Sequence, residues 1–350
     1  MPDRTSAGGF FVKRFGNLFD TALSPESLYQ GYLDAAKNKR SSRSCYQFER
    51  RLGAQLADLH RELHDGSYQP RPYNTFQVFE PKPRLIYAPA FRDRVVQHAI
   101  YRVIRHIFDA TFVAESFACR PGKGTHAAAD HVQAALGAVQ RDSYSLQIDI
   151  RKFYYRINRA ILRGLIERKI KDRRLVGLMM LFADQGDPLG IPIGNLLSQL
   201  YALIYLNPLD HYIKRELKVR HYARYVDDCV LIGLSRDQAL SHRASIVLFI
   251  ANQLGLELSK STIAPVRRGN NFVGYRTWAS RRFVRRHALF TFRRAARRGR
   301  MDAVVSSLGH ARRTASLRHM IRHLKEHRHA LYHQLPKSLR RHHHLPAHAA

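Results

Sequence analysis

The stretch His221-Tyr-Ala-Arg-Tyr225-Val-Asp-Asp228-Cys-Val-Leu-Ile-Gly233 decides how this chain is read. It reads as two short strands joined by an Asp-Asp turn. Tyr-Val-Asp-Asp alone says little, because Asp-Asp is common in hairpin turns. Its weight depends on its company. Upstream, Ser145 to Ile150 alternates: Leu146, Ile148 and Ile150 point one way, and Ser145, Gln147 and Asp149 the other. Solvent exposure is the plain expectation for an acid in a strand.

Working outward, Phe48, Leu52, Leu56, Leu59 and Leu63 recur at helical spacing, and Asp65-Gly66 ends the pattern, so one helix is expected there. A second helix is expected after Asp93, with Val96, Ile100, Val103, Ile104 and Ile107 on one face and Arg102 and Arg105 elsewhere. Between them, Phe76 to Pro89 is extended, with Pro81-Lys82-Pro83-Arg84 as a turn between two strands. Helical patterns run through Ile161–Phe182 and Leu196–Leu209, on either side of a Gly/Pro-rich turn at Gly186–Gly194. A helix over Asp237–Leu254 precedes a strand through Leu256–Ile263. No internal repeat is visible.

The chain has 350 residues, enough for roughly two or three domains of about 150 residues. Its 59 Lys and Arg against 27 Asp and Glu give a net charge of +32, which calls for a polyanionic partner, nucleic acid ahead of a membrane surface. Half of that excess lies in the last fifth: from Arg281 to Ala350, 18 Lys and Arg stand against 2 acids, with 11 His. Leu317, Ile321, Leu324 and Ala330 are spaced there for one helical face, and a frayed tail is expected after Pro336. Cys45, Cys119 and Cys229 form no C-x-x-C pair, which leaves zinc ribbons and disulfide frameworks unsupported. The apolar runs are too short for a membrane span, which needs about 20 residues. A soluble cytoplasmic protein without membrane contact is expected.

Phosphoryl transfer onto a polynucleotide end depends on charge neutralisation, commonly by two divalent cations held by carboxylates. A polymerase should therefore show one carboxylate at a strand end and one or two more on a neighbouring hairpin. Asp149 and the Asp227-Asp228 pair meet that pattern. The blocks around them, in order over about 200 residues from Tyr73 to Tyr275, resemble the reverse transcriptase family. Arg84-Leu-Ile and Arg92-Asp-Arg-Val-Val-Gln-His98 are similar to its fingers blocks. Phe117-Ala-Cys-Arg-Pro-Gly-Lys-Gly-Thr-His126 resembles the segment that follows in bacterial members. Gln147–Ile157, Gly190–Gln199, Tyr225–Asp228, Leu254–Lys260 and Phe272-Val-Gly-Tyr275 resemble the palm blocks. A P-loop reading fails, because Gly122-Lys-Gly-Thr125 lacks the required spacing.

The resemblance implies an α+β right-hand polymerase fold: an N-terminal helical extension over 1–70, fingers over 71–145, a palm of antiparallel sheet plus helices over 146–280, and a basic helical thumb and tail over 281–350. It implies RNA-directed DNA polymerase activity with two Mg²⁺ ions, Mn²⁺ being a substitute. The implied metal set is Asp149, Ile150, Asp227 and Asp228, with Asp149 and Asp227 as direct ligands. Lys260 matches a lysine that protonates the leaving pyrophosphate, a surface lysine being the alternative. Lys82 and Arg84 would neutralise the triphosphate, or belong to an ordinary solvated turn. Tyr154 takes the position that senses the ribose 2′-hydroxyl, with a packed core ring as the alternative. Ile193, Gly194 and Gln199 complete the dNTP-binding set. Phe272, Gly274 and Tyr275 form the primer grip, and Arg293, Arg294, Arg297 and Arg298 hold nucleic acid. The implied partners are template RNA, the RNA/cDNA duplex and dNTPs.

Gly190-Ile-Pro-Ile-Gly-Asn-Leu-Leu-Ser-Gln199 narrows the group. Most relatives place Gln where Ile193 stands. The string closely resembles reverse transcriptases of diversity-generating retroelements, although Leu197 replaces a frequent Thr. That subgroup copies a template-repeat RNA inaccurately opposite adenine and works with a small basic accessory variability protein. Ile193 cannot make the hydrogen bonds that Gln offers, so it is a candidate determinant of infidelity, with simple packing as the alternative. The alternative functions are a group II intron-like or host-defence reverse transcriptase, and an inactive RNA-binding scaffold. His342-His343-His344 could bind metal or form a solvated tail.

Overall fold

The computed structural model describes residues 13–79 and 83–341. Lys82 and His342-His343-His344 lie outside the described residues. The chain forms two compact units, each built from separate stretches. One takes the chain up to Val113 with Arg151–Asp210 and Phe249–Glu257; the other takes Ala114–Ile150, His211–Leu248 and the chain from Leu258 onward.

In the first unit, the helix Pro25–Ala36 starts with Pro at its first turn and is capped by Ser24, whose hydroxyl accepts from Ser27 N at 3.2 Å. The stripe from Phe48 to Leu63 is not one helix. Helices Arg43–Glu49 and Leu52–Asp65 are separated at Arg50-Arg51. The break lets Phe48 pack on Tyr32 and Phe91, with ring centroids 6.1 and 5.2 Å apart, while Leu59 and Leu63 are buried further along. Gly66, at φ +82, ends the second helix as expected. The helix Phe91–Asp109 buries Val96, Ile100, Ile104 and Ile107 and leaves Arg102 and Arg105 exposed. Strands β1 (Asn74–Val78) and β2 (Arg84–Ala88) pair antiparallel, Phe76 opposite Ile86. The helix Leu196–His211 is apolar on almost every side and correspondingly buried.

The second unit holds a four-stranded antiparallel sheet of β3 (Tyr144–Ile150), β4 (His221–Tyr225), β5 (Asp228–Leu234) and β6 (Leu258–Pro265), in the order β4-β5-β3-β6. The alternation of β3 is borne out: Leu146, Ile148 and Ile150 are buried on one face. The other face, carrying Ala223, Val230 and Ile232, packs on Ala128, Val132 and Leu136 of the helix Thr125–Gly137. Strands β7 (Asn270–Phe272), β8 (Tyr275–Thr277) and β9 (Arg282–Val284) form a second sheet. The α+β class with an antiparallel sheet is borne out.

The basic C-terminal segment is helical and supplies most of a core that also takes in Ala129 and Tyr275. Phe292, Val304, Leu308, Leu317, Ile321 and Leu324 are buried together from helices Arg286–Arg297, Met301–Ala311 and Ser316–His327. Ala330 does not share that face. It is exposed on a separate short helix, His329–Gln334, because the chain breaks at Arg328 (φ −145, ψ 56). Another helix, Lys337–Arg341, follows Pro336 where fraying was expected. Among the described residues, no helix is long and apolar enough to cross a membrane.

Candidate active site

In the second unit, Asp149 stands one residue before the end of β3, between two neighbours in register: Asp228 on β5 and Lys260 on β6. Directly opposed residues in a sheet project to the same face. Two carboxylates and one ammonium therefore share a row across three strands. Tyr225 pairs with Asp228, so the hairpin loop is Val226-Asp227, and Asp228 already belongs to β5. Asp227 is on the turn itself and Ile150, with its side chain buried, follows Asp149. None of the three aspartates is fully exposed.

Two supporting side chains were not singled out for this role from sequence. Gln147, two residues before Asp149 and on the same strand face, donates from Nε2 to Asp228 Oδ1 at 3.0 Å and to the Asn271 carbonyl. Its only signal in the sequence was the alternation that put it beside Asp149. Ser259 donates its hydroxyl to Asp149 Oδ2. Burial pushes the Asp228 carboxyl up to about 7. The Gln147 hydrogen bond opposes the rise, the charges of Asp149 and Asp227 add to it, and Arg285 opposes it.

Among the described residues, no group of three or more His, Cys, Asp or Glu forms a ready-made metal cage. The donor chemistry nevertheless fits Mg²⁺. The ligands on offer are hard carboxylate oxygens, and the repulsion from Asp149 and Asp227, which adds to the effect of burial on Asp228, is what a cation would relieve. Mg²⁺ is usually held by one or two carboxylates plus substrate phosphates, so a full protein cage is not required.

The first unit gathers a different set. The Ile193 carbonyl accepts from Tyr87 N of β2 at 2.7 Å, and Ile191 N donates to the Tyr154 carbonyl at 2.9 Å. These bonds join Tyr154, the Ile193-Gly194 loop and the β1–β2 hairpin. Gly194 has φ +119, and a Cβ there would come within 2.9 Å of both Ile86 Cγ2 and the Tyr87 carbonyl oxygen, so only Gly fits. Asn195, buried beside it, donates to Tyr73 Oη at 2.8 Å and to the Phe182 carbonyl at 3.1 Å, and accepts from Gln97 Nε2 at 3.3 Å. Ile193 and Tyr154 are half-buried, and Arg84 and Gln199 are exposed.

Residues 77–277 match the sequence profile of the family described as reverse transcriptase (RNA-dependent DNA polymerase). The chain belongs to the reverse transcriptase family. Protein YkfC of Escherichia coli K12 is 27% identical over 277 residues, 65% of this chain and 72% of that protein. The group II intron-encoded protein LtrA of Lactococcus lactis subsp. cremoris is 27% identical over 214 residues, 57% of this chain. This chain spans only 35% of LtrA. Among solved structures, telomerase from Candida albicans in complex with a fragment of telomeric RNA is similar at a TM-score of 0.49 and 11% identity, covering 76% of this chain and 57% of that one.

Phe272-Val-Gly-Tyr275, the block expected to form the primer grip, joins β7 to β8. Phe272 and Tyr275 are core residues, 1% and 0% exposed. Only the Val273-Gly274 turn between them, at φ +44 and +88, is partly open. Tyr275 Oη donates to the His310 carbonyl at 2.8 Å, and the two rings stack with centroids 4.4 Å apart. The side chain of His310 also covers Gly274, where a Cβ would come within 3.1 Å of the imidazole. Arg293, Arg297 and Arg298 are exposed on or just beyond the helix Arg286–Arg297, while Arg294 is partly buried near the Phe290 ring.

Proposed function

We propose that this chain is an RNA-directed DNA polymerase that extends a primer along an RNA template. The Asp149–Asp228 pair, opposed across β3 and β5, is the observation that carries this reading. Asp149, Asp227 and Asp228 would hold the Mg²⁺ ions, with Ile150 able to offer only its main-chain carbonyl. When bound, such ions neutralise charge on the attacking and leaving oxygens. Gln147 holds Asp228 from one side, and Ser259 fixes Asp149 from the other. Lys260, on the same row, is the proposed proton donor to the leaving pyrophosphate.

Arg84, Tyr154, Ile193, Gly194 and Gln199 are the residues proposed to meet the incoming dNTP, Lys82 joining them from the turn. The bulk of Tyr154 would exclude a 2′-hydroxyl. Phe272, Gly274 and Tyr275 are the proposed primer grip, with the partly open Val273-Gly274 turn offering its backbone. Arg293, Arg294, Arg297 and Arg298 are proposed to hold phosphates of the RNA/cDNA duplex. The boundaries of fingers, palm and thumb follow the same reading.

Within the family, we favour error-prone copying of a template-repeat RNA with an accessory variability protein. Ile193, seated on β2 with no polar side-chain atom, supports this. A second reading, an intron-type enzyme, is supported by the likeness to LtrA. Primer extension by the purified chain on RNA containing all four bases tests both levels. DNA synthesis dependent on Mg²⁺ supports the polymerase, and none on any primer–template contradicts it. Errors concentrated opposite template adenine favour the mutagenic subgroup; uniformly low errors favour the intron-type reading.

A further inference from the structure

The turn that carries Asp227 holds its first residue in a conformation that residue disfavours. Tyr225 and Asp228 close the hairpin, leaving Val226 and Asp227 as its two-residue loop. Val226 has φ +58. Such loops normally place Gly, Asn or Asp at positive φ, and a β-branched residue there is an outlier. It persists only where its surroundings over-determine it.

Arg224 supplies that constraint. It lies on β4 and is 0% exposed, the largest of the fully buried side chains among the described residues. Its Nη1 donates to the Val226 carbonyl at 2.9 Å. Its own backbone is held on both sides. It pairs with Cys229 on β5, while its N donates to the Glu115 carbonyl and its carbonyl accepts from Phe117 N, each at 2.9 Å. Glu115 is anchored in turn by Lys214 at 2.6 Å. A guanidinium on a fixed strand therefore reaches two residues on, to the peptide that joins Val226 to Asp227. Burying a charge is costly, and an apolar side chain would fill this volume without that cost. Arginine brings a charge-assisted, planar set of donors that stays protonated at every working pH.

We propose that Arg224 is a positioning residue: it clamps the Val226–Asp227 peptide and so fixes the directions of the Asp227 and Asp228 carboxylates for polymerisation. This rests on the polymerase reading above. Lysine, a point charge without the fork, can replace the donor only in part. Glycine adopts positive φ without assistance, so V226G should relax the need for the clamp.

The test measures kcat, dNTP KM, RNA affinity and melting temperature for wild type, R224M, R224K, V226G and the double variant R224M/V226G. R224M should lower kcat about tenfold or more while KM and RNA affinity stay within about twofold. R224K should recover part of the rate. Introduced into V226G, R224M should lower kcat by less than about threefold. Wild-type kcat in R224M overturns the proposal. So does an equal loss in both backgrounds, or a fall in kcat matched by equal falls in RNA affinity and melting temperature, since those mark a merely structural arginine. A wild-type chain inactive on every primer–template overturns the polymerase reading, and this role with it.

Discussion

Asp149 and Asp228 face each other across adjacent antiparallel strands, and Gln147 on β3 holds the Asp228 carboxyl from the same face. Like charges in direct opposition destabilise a sheet. Here the cost appears in Asp228, lifted to about 7 by burial and by its acidic neighbours. A divalent cation held between the two carboxylates would relieve the part of that cost that comes from their repulsion.

Divalent metal should therefore stabilise the folded chain. Millimolar Mg²⁺ is expected to raise the melting temperature of the wild type by several degrees, since a ligand that binds only the folded state stabilises it by mass action. D149N and D228N should lose that shift and melt no lower than the metal-free wild type. Differential scanning fluorimetry with and without a chelator checks this. A shift that persists in both variants would place the metal elsewhere.

Gly194 is confined between Ile86 and the Tyr87 carbonyl at φ +119. Gly194→Ala should push the Ile193-Gly194 loop off β2, at a cost of about 1–3 kcal/mol. The expected reading is a raised dNTP KM with RNA affinity unchanged. Steady-state kinetics at fixed template decide it, and an unchanged KM would remove this loop from the nucleotide site.

Ile193→Gln restores a hydrogen-bonding side chain where the loop crosses β2. Misincorporation opposite template adenine should fall several-fold, measured by sequencing the cDNA products. Unchanged accuracy would reduce Ile193 to packing.

Much of this was legible before the fold was seen. The β3 alternation placed Asp149, Gln147 and Ser145 on one face, and the Tyr225–Asp228 hairpin formed where its residues indicated. Other features were not legible because they depend on tertiary partners. The helix break at Arg50-Arg51 accompanies the packing of Phe48 on Tyr32 and Phe91. An arginine in a strand reads as exposed, and nothing in the sequence around Arg224 says that its guanidinium is buried against a carbonyl two residues on. Phe272 and Tyr275 read as contact residues because their block matches, and nothing in that block says that a core forms around them.

His310 stacks on Tyr275 and covers Gly274, and burial lowers the imidazole pKa below its ordinary 6.5. A base whose folded pKa is depressed contributes stability above the unfolded value, and loses it as pH falls through the folded one. His310 should therefore contribute a decline in wild-type stability below about pH 6.5, set against the gain on acidification from Asp228, whose carboxyl is lifted to about 7. H310F keeps a ring for the stack and has nothing to protonate, so its decline should be shallower. Melting temperatures from pH 7.5 to 5 test this; parallel curves would exclude His310.

Nucleic-acid affinity should fall steeply with salt. If Arg293 and Arg297 each meet one phosphate, the R293A/R297A double variant should flatten the slope of log affinity against log salt by about 2. An unchanged slope would take these arginines out of the interface.

The most direct test of the central claim is the rate of DNA primer extension on an RNA template by D149N and D228N beside the wild type, at saturating dNTP and Mg²⁺. Each variant is expected to fold, to bind RNA as the wild type does, and to lose at least about a thousandfold in rate. A rate within about tenfold of wild type in either variant would contradict the assignment of Asp149 and Asp228 as the reaction centre.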